Sequence, residues 1–232
     1  MGQGSLKAIG FWDGTGRAPL FTDMSEGDYM AMRAAARGKE FRRGEILYRE
    51  GESVNRAILL TSGFAKITQL GPSGTEVILR FGTPGDILDG VSLLSTGKHG
   101  TTAQAFRSCR TLVWDASVFK TNGERYPILY QSMGRALGEH LLDLEVRFRE
   151  VATEKVGPRV ARQLARLLKK MGRQVNGEIE IALSREDLAQ MTGTTLFTVS
   201  RLLSAWEARG IVTARREVVA ICDVRSLLTI SD

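Results

Sequence analysis

Apolar residues recur with three different periods along the chain. From Pro19 to Lys39 the period is helical, and one side of this helix would collect Leu20, Phe21, Met24, Tyr29, Met30, Met32 and Ala36. From Pro127 to Val151 the helical period returns, and a third stretch of mixed elements follows the Gly157-Pro158 pair. Proline is tolerated in the first turn of a helix but not within one, so this pair predicts a boundary before a new helix over 159–171.

Between the first two helical stretches, short apolar runs alternate with glycine-bearing turns. The runs are ILY (46–48), RAILLTSG (56–63), FAKITQL (64–70), EVILRF (76–81) and TLVW (111–114). Short strands with turn signals every ~8–12 residues predict an antiparallel sandwich or barrel. Positive backbone φ angles are expected at the turn glycines, Gly44, Gly51, Gly63, Gly74 and Gly85.

The helix that begins near Pro127 carries a regular apolar row. Its members are spaced 4, 3, 4 and 3 residues apart, and they are Leu137, Leu141, Leu144, Phe148 and Val151. This spacing is typical of the seam of a coiled coil about two heptads long. The helix has two interpretations: it packs on its own domain, or it pairs with a second copy, which explains the 3.5-residue period better.

The third stretch predicts a strand around Glu178–Ala182, helices over 184–191 and 195–209, and strands near Val212 and over Val218–Ile221. Ser184 to Asp187 resemble a capping box, and Gly193 stands where a tight turn needs a positive φ. Thr194 or Thr195 is expected to cap the second helix. Two helices joined by such a turn predict a helix-turn-helix, with an αα-hairpin that only packs as the alternative.

The two faces of the second helix differ in chemistry. Val199, Leu202, Leu203 and Trp206 form an inner side, whereas Phe197, Thr198, Ser200, Arg201 and Ser204 face outward. The following strand pair, with Arg215 and Arg216 at its turn, would form a wing. Residues 155–232 hold 13 Lys and Arg against 8 Asp and Glu, whereas residues 1–154 hold 19 against 18. The excess positive charge therefore lies in the last third and favours a polyanionic partner.

Composition narrows the class of protein. With 43% hydrophobic and 25% charged residues among 232, the chain has a globular composition, and no apolar run approaches the ~20 residues of a membrane span. Residues 1–17 lack the build of a signal peptide and are expected to be a loose leader. The only cysteines, Cys109 and Cys222, offer no disulfide or metal framework, which fits a reducing cytoplasm.

At this point the sequence resembles the cyclic-AMP receptor/fumarate-nitrate regulator family of bacterial transcription factors over residues 18–230. The string LSREDLAQMTGTTLFTVSRLLSAWEARGIV carries the most specific likeness, and RRGEILYREGE, LTSGFAKI and GPSGTEVILRFGTPGDI match the family's strand-and-glycine pattern. The resemblance implies an α+β architecture: an antiparallel β-roll of the cyclic-nucleotide-binding type (18–126), a dimerisation helix (127–156) and a winged helix-turn-helix (157–232).

The resemblance also implies a homodimer that reads a palindromic site in double-stranded DNA, one recognition helix (195–209) per half-site. Arg201 matches the family's guanine-contacting arginine, and Ser200 matches a base-reading position in one branch. Thr198, Arg185 and Ser184 match phosphate contacts, which set register. The expected DNA-binding residues are Ser184, Arg185, Thr194, Thr195, Leu196, Phe197, Thr198, Ser200, Arg201, Arg215 and Arg216.

Two departures alter the expected half-site. Phe197 replaces the glutamate that accepts from cytosine, and Leu196 replaces a frequent arginine. Neither makes the usual polar base contact, so the half-site should differ from TGTGA- or TTGAT-like sequences. Three roles are open to Phe197: a contact with a thymine methyl, a wedge near the DNA backbone, or packing.

The effector pocket departs further from the family. The aligned stretch DILDGVSLLSTGKHGTTAQA places Gly90 at the ribose-binding glutamate, His99 at the phosphate-binding arginine and Gly100 at the following serine. Asp89 would repel a phosphate, although Lys98 and a protonated His99 leave room for another anion. The pocket residues to test are Asp89, Gly90, Val91, Lys98, His99, Gly100, Thr101, Leu144 and Glu145, the last two in place of a polar adenine-contacting pair. Losing a charge-assisted bidentate contact is costly, so the sequence argues against cyclic AMP.

Other signals of the family lack their residues here. An iron–sulfur cluster needs about four cysteines, so none is expected, and no other cofactor is predicted. A haem role stays open for His99 or His140, although His140 on the long helix is expected to be structural, and redox sensing would fall to Cys109. Three modes of control stay open: an unidentified ligand, a redox or partner signal, or constitutive binding set by abundance.

The sequence bears on two other functions. A regulatory module of an enzyme lacks support, because there is no phosphate loop, no nucleophilic triad and only two histidines. An architectural DNA binder would bind without sequence preference. No membrane partner is expected, and RNA polymerase would be a partner if the protein activates transcription.

Overall fold

The computed structural model describes residues 16–95 and 97–231, which form two compact units. The first unit contains residues 16–69 and 80–141, and the second contains residues 70–79 and 142–231. Most of the predicted leader, residues 1–15, lies outside the described residues. Arg17, the last residue of that leader, forms an ion pair with Glu26.

The first unit contains all or part of eight strands and four helices. The strands are β1 (Arg37–Phe41), β2 (Ile46–Tyr48), β3 (Arg56–Ser62), β4 (Ala65–Leu70), β5 (Glu76–Gly82), β6 (Ile87–Leu88), β7 (Thr102–Ala105) and β8 (Cys109–Asp115). A short 3-10 helix (Pro19–Phe21) precedes α1 (Glu26–Ala34), α2 (Gly90–Leu94), α3 (Ala116–Arg125) and α4 (Pro127–Thr153), the last of which continues into the second unit. Two four-stranded sheets result, in the orders β1-β8-β3-β6 and β2-β7-β4-β5.

The sheets of the first unit enclose apolar cores. One core lies under the helices and includes Phe21, Met32, Trp114 and Phe119, with the indole nitrogen of Trp114 donating to the carbonyl of Met32 at 2.8 Å. The other core is formed by strand residues, Leu47, Ile58, Leu60, Ala65, Ile67, Ala103 and Val113 among them. The central strands β3 and β8 each bury four consecutive residues, and the short apolar runs between glycine turns form the β-roll that the sequence predicts.

The turn glycines behave as predicted, whereas the first helix does not. All five have positive φ: Gly44, Gly51, Gly63, Gly74 and Gly85. At Gly63 a side chain is also excluded sterically, because a Cβ would lie 2.3 Å from the carbonyl oxygen of Ser108. The predicted helix up to Lys39 is wrong at its end: β1 begins at Arg37 and pairs antiparallel with β8, so sheet pairing outweighs the local helical period.

The second unit contains the end of α4 and a compact α/β arrangement. Its further helices are α5 (Val156–Met171), α6 (Arg185–Thr192), α7 (Leu196–Glu207) and α8 (Val224–Ser231), and its strands are β9 (Arg173–Val175), β10 (Glu178–Ile181), β11 (Val212–Arg215) and β12 (Val218–Ile221). The strands form one antiparallel sheet in the order β11-β12-β10-β9. The predicted winged helix-turn-helix is confirmed, and the prediction missed only β9 and α8 in this region.

Residues 16–95 and 97–231 contain neither a membrane-spanning helix nor a cluster of metal ligands. None of the described helices is both long enough and apolar enough to cross a membrane. In the same residues, no three His, Cys, Asp or Glu side chains group in a way that could hold a metal ion.

Candidate nucleic-acid interface and effector pocket

The start of α6 is fixed by the predicted capping box. The Ser184 hydroxyl accepts from the amide of Asp187 at 3.0 Å, and the Asp187 carboxylate accepts from the amide of Ser184 at 3.2 Å. The helix ends at Gly193, which has a φ of 58°. Thr195 then caps α7, since its hydroxyl oxygen accepts from the amide of Thr198 at 3.2 Å. These local bonds set the angle at which α7 leaves the turn.

Burial of one side of α7 determines which residues it presents to solvent. Val199, Leu203 and Trp206 are buried against the rest of the second unit. The opposite side exposes Arg201, with 74% of Phe197 and 48% of Leu196 also accessible. Phe197 is therefore not a packing residue within the single chain. Thr198 and Ser200 are half-buried beside this face.

The other predicted DNA-binding residues surround α7 at different degrees of exposure. A guanidinium Nη of Arg185 donates to the carbonyl of Ala214 in β11 at 3.3 Å, and its Nε is buried without a hydrogen-bond partner. Arg215 pairs with Glu180 at 2.7 Å, while Arg216 is exposed in the turn of the wing. Arg185 thus joins α6 to the wing, a structural contact that the sequence did not predict. Ser184 and Thr194 are half-buried, and Thr195 is exposed.

Two arginines outside the helix-turn-helix hold the end of α6. Arg159, a buried residue of α5, donates from Nε to the carbonyl of Thr192 at 2.8 Å and from Nη1 to the carbonyl of Glu154 at 3.1 Å. Arg147 of α4 donates to the carbonyls of Leu79 and Met191. A guanidinium suits this task because its fork of donors reaches several carbonyls at once. These arginines join α4 and α5 to the turn that precedes α7.

A buried carboxylate lies at the junction of α4 and α5. Glu150 is 2% exposed and binds Arg166 through both of its oxygens, with an Arg166 Nη1 distance of 2.8 Å. Arg162 lies 3.3 Å away and also binds Glu154 at 2.6 Å. Burial alone would raise the pKa of Glu150, but the hydrogen bonds and charges of Arg166 and Arg162 outweigh burial and hold the pKa below its usual value.

The predicted apolar row on α4 is largely exposed. Phe148 is 74% exposed, and Leu141, Leu144 and Val151 are each about half exposed, whereas Leu137 is half-buried. Leu142 and Val146 add further exposed apolar surface on the same helix. Large apolar side chains aligned along two heptads and open to solvent are typical of an interaction surface.

In the predicted effector pocket, Asp89 and His99 form a buried pair. His99 Nδ1 lies 2.6 Å from an Asp89 Oδ2, and each side chain is 7% exposed. The other carboxylate oxygen accepts from the hydroxyl of Ser92 at 2.7 Å, and that hydroxyl accepts from the amide of Gly100 at 3.1 Å. Asp89 adopts a left-handed backbone with a φ of 52°, which is costly for a residue other than glycine. Donors near the predicted phosphate position are thus engaged within the chain.

The remaining pocket residues are less enclosed. Gly90 is buried, and a Cβ there would lie 3.3 Å from a Met133 methyl, whereas Val91, Lys98 and Gly100 are exposed and Thr101 is half-buried. Leu144 and Glu145 are exposed positions of α4.

Tyr48 stacks on the His99 ring at a centroid distance of 4.1 Å, and its hydroxyl lies 3.4 Å from that of Thr101. Burial raises the pKa of Tyr48 and keeps its hydroxyl protonated. On the open side of His99, a cavity of about 330 Å³ is also lined by Glu52 and Arg56.

The sequence matches two domain families over most of its length. Residues 38–126 match the cyclic nucleotide-binding domain, and residues 158–230 match the Crp-like helix-turn-helix domain. These segments coincide with the strands of the first unit and with the helix-turn-helix described above.

The chain belongs to the CRP/FNR family of transcription regulators. The chain is 25% identical to a CRP-like cAMP-activated global transcriptional regulator of Mycobacterium tuberculosis over 213 residues, which cover 91% of this chain and 95% of the relative. It is 22% identical to an anaerobic regulatory protein of Haemophilus influenzae, with coverage of 84% and 76%.

Solved structures of CRP/FNR regulators have the same fold. The c-di-GMP-responsive regulator CLP of Xanthomonas campestris superposes with a TM-score of 0.75 at 19% identity, covering 86% of this chain and all of that one. FixK2 of Bradyrhizobium japonicum superposes with a TM-score of 0.73 at 22% identity, covering 85% and 98%.

The two cysteines of this CRP/FNR chain differ in accessibility. Cys109 is a buried residue of β8, and Cys222 is exposed after β12. Burial, with a smaller contribution from the charge of Glu45, raises the pKa of Cys109 to about 11. Because the thiolate is the reactive form, this environment opposes redox sensing through Cys109.

Proposed function

We propose that the protein is a homodimeric regulator that reads a two-fold symmetric DNA site, with one α7 helix in the major groove of each half-site. The exposed Arg201 on a helix whose opposite side is buried is the observation that carries this proposal. A guanidinium pairs bidentately with the O6 and N7 of guanine, a contact worth about 1–3 kcal/mol of discrimination. Arg201 is therefore the proposed reader of guanine.

The residues around α7 support the same arrangement on DNA. Thr198 and Ser200 lie beside Arg201, and Thr195 and Arg216 are exposed at the helix start and in the wing. Hydroxyls and guanidinium groups in these positions suit phosphate oxygens, which fix the register of the protein without reading sequence. Arg185 contributes by tying the wing to α6, so its role in DNA binding is proposed to be positional as well as electrostatic.

The exposed row on α4 supports the homodimer. A two-fold seam of Leu141, Leu144, Phe148 and Val151 would cover apolar surface that is open in the single chain. It would also give the protein the symmetry that a palindromic site requires.

We expect that cyclic AMP does not control this protein. A cyclic phosphate entering the pocket would meet the Asp89 carboxylate, and the groups that would donate to it, His99 and Ser92, already bind that carboxylate. No arginine of the aligned stretch (residues 86–105) replaces the lost guanidinium. A different small ligand is the second candidate, supported by the cavity of about 330 Å³ beside His99.

A reader of chromosomal DNA is expected to act in the cytoplasm. RNA polymerase is the expected partner when the site lies where an activator binds, and repression is expected when the site overlaps a promoter.

Selection of bound duplexes from a random pool tests the proposed function directly. We expect a palindrome with a guanine in each half-site, and binding that weakens steeply as salt rises. Arg201→Ala should lose at least tenfold in affinity for the selected site. Arg225→Ala is the matched control, since it removes the same charge from an exposed position of α8. Enrichment of no sequence, or equal affinities of the two variants, would refute the proposal.

Calorimetry with cyclic AMP and cyclic GMP tests the ligand separately. We expect no heat of binding from either nucleotide and the same gel-shift affinity with and without them. Micromolar binding would show that the Asp89–His99 pair opens to accept a cyclic phosphate.

A further inference from the structure

Phe197 is an aromatic side chain exposed on a face otherwise suited to DNA. It lies in the first turn of α7, one residue after Leu196, and 74% of it is accessible. Among the described residues it takes part in no aromatic ring contact. The opposite side of the helix is the one that packs in the core, so Phe197 is not a core residue. A phenyl ring that buries so little of its surface contributes little to the stability of the folded chain.

The rotation of α7 places Phe197 beside the proposed guanine reader. At about 100° per residue, Phe197 is half a turn from the buried Trp206, nine residues away. Arg201 follows Phe197 by four residues, so the two side chains lie about 40° apart around the helix and about 6 Å apart along it. Base pairs are stacked about 3.4 Å apart, so Phe197 falls within about two base pairs of the base that Arg201 reads.

The chemistry of the major groove limits what a phenyl ring can recognise there. Guanine, adenine and cytosine present hydrogen-bond donors and acceptors, whereas thymine also presents its C5-methyl group. Covering a polar base edge with a phenyl ring leaves that edge without a partner, which is unfavourable. Covering the thymine methyl removes apolar surface from water on both sides.

We propose that Phe197 is a specificity-determining residue that selects thymine by contact with its methyl group. This inference rests on the proposed function, because it needs α7 in the major groove. It predicts a thymine at a fixed position within about two base pairs of the guanine in each half-site.

Deoxyuridine provides a test that leaves the protein unchanged. Each thymine of the selected site is replaced in turn by deoxyuridine, which removes only the methyl group, and affinity is measured by gel shift with the full chain. We expect one position per half-site at which the replacement weakens binding about fourfold, equivalent to about 0.8 kcal/mol for one methyl-sized group. Equal affinity at every position would overturn the proposal.

A double-mutant cycle assigns the methyl contact to one side chain. Phe197→Ala should bind the thymine and deoxyuridine sites with about equal affinity. Leu196→Ala, altered at the neighbouring apolar position, should still bind the deoxyuridine site more weakly. A penalty that persists in Phe197→Ala, or that disappears in Leu196→Ala instead, would overturn the assignment. Thermal unfolding of each variant checks folding, which should be unaffected because both side chains extend into solvent.

The two proposals fail in different ways. Enrichment of no DNA sequence would refute the proposed function itself. An enriched palindrome whose thymines all tolerate deoxyuridine would leave the DNA reader intact and refute only the role of Phe197. The same result together with strong kinking of the bound duplex would identify Phe197 as a wedge.

Discussion

The side chains of Asp89 and His99 lie 2.6 Å apart in the buried wall of the β-roll, where the sequence predicts an effector pocket. In the sequence His99 departs from the arginine expected at its position, whereas Asp89 only precedes Gly90, which departs from the expected glutamate, and neither residue predicted the other. The Asp89 carboxylate contacts the His99 ring through one oxygen and accepts from the Ser92 hydroxyl through the other. Residues 89, 92, 99 and 100 of this wall are therefore joined by hydrogen bonds within the chain.

Asp89→Asn should weaken the β-roll although it preserves the size of the side chain. Asparagine tolerates the left-handed backbone, so the change isolates the loss of the charged acceptor to His99. We expect the free energy of unfolding to fall by about 1–2 kcal/mol in urea titrations. The control is Asp115→Asn, at an exposed position whose side chain makes no cap bond. Its free energy of unfolding should fall by less than about 0.5 kcal/mol. Similar losses in the two variants would contradict the structural role of the pair.

Phe148→Glu should separate the proposed dimer into single chains. A carboxylate in an apolar seam is left without a partner, and the two copies would face each other with like charges. Sedimentation equilibrium should give the mass of one chain, and affinity for the full palindrome should fall at least tenfold. Arg149→Glu, at the adjacent exposed position, is the control and should remain dimeric. A dimeric Phe148→Glu would place the interface elsewhere.

Glu150→Gln should change how stability depends on pH. The folded pKa of Glu150 is lowered, so the carboxylate stabilises the fold above about pH 4.5, and this contribution is lost as pH falls through the folded value. The wild type should exceed the variant by about 1–3 kcal/mol at pH 7, and the difference should shrink towards pH 3. Glu139→Gln, exposed on the same helix, should follow the wild type at every pH. A constant difference would exclude titration of Glu150 as its cause.

Thiol labelling should distinguish the two cysteines. At pH 8 Cys222 should react with iodoacetamide at once, whereas Cys109, whose pKa is raised to about 11 by burial, should react only after unfolding. Since this folded pKa lies above the unfolded value of 9.0, its contribution to stability is present below pH 9 and is lost as pH rises towards 11. Rapid modification of both thiols in the native chain would contradict this expectation and support redox sensing through Cys109.

The helix-turn-helix could be predicted from sequence because its determinants are local. Three local features define it: the capping box at Ser184, the positive φ of Gly193 and the cap at Thr195. Each of them involves only residues within four positions along the chain. The same holds for the turn glycines of the β-roll. Such short-range patterns can be identified in a single sequence because they do not depend on any distant part of the chain.

The parts that could not be predicted depend on contacts between distant segments. Arg159 and Arg147 bind backbone carbonyls, which every residue has, so no sequence pattern identifies their partners. The pairing of Asp89 with His99 depends on the path of the intervening turn. At Arg37, the register with β8 overrode a local helical period. The simultaneous loss of the family's glutamate and arginine was the one available signal for the Asp89–His99 pair.

The open apolar row on α4 also has a consequence for the quantity of protein in a cell. If two chains must meet through this row before both half-sites are read, occupancy of the DNA grows with the square of the free chain concentration while dimers are scarce. Modest changes in synthesis or degradation would then produce steep changes in the expression of target genes. Dimerisation through the row that includes Phe148 would then make DNA binding respond to the concentration of the protein itself. Such a response requires no small molecule.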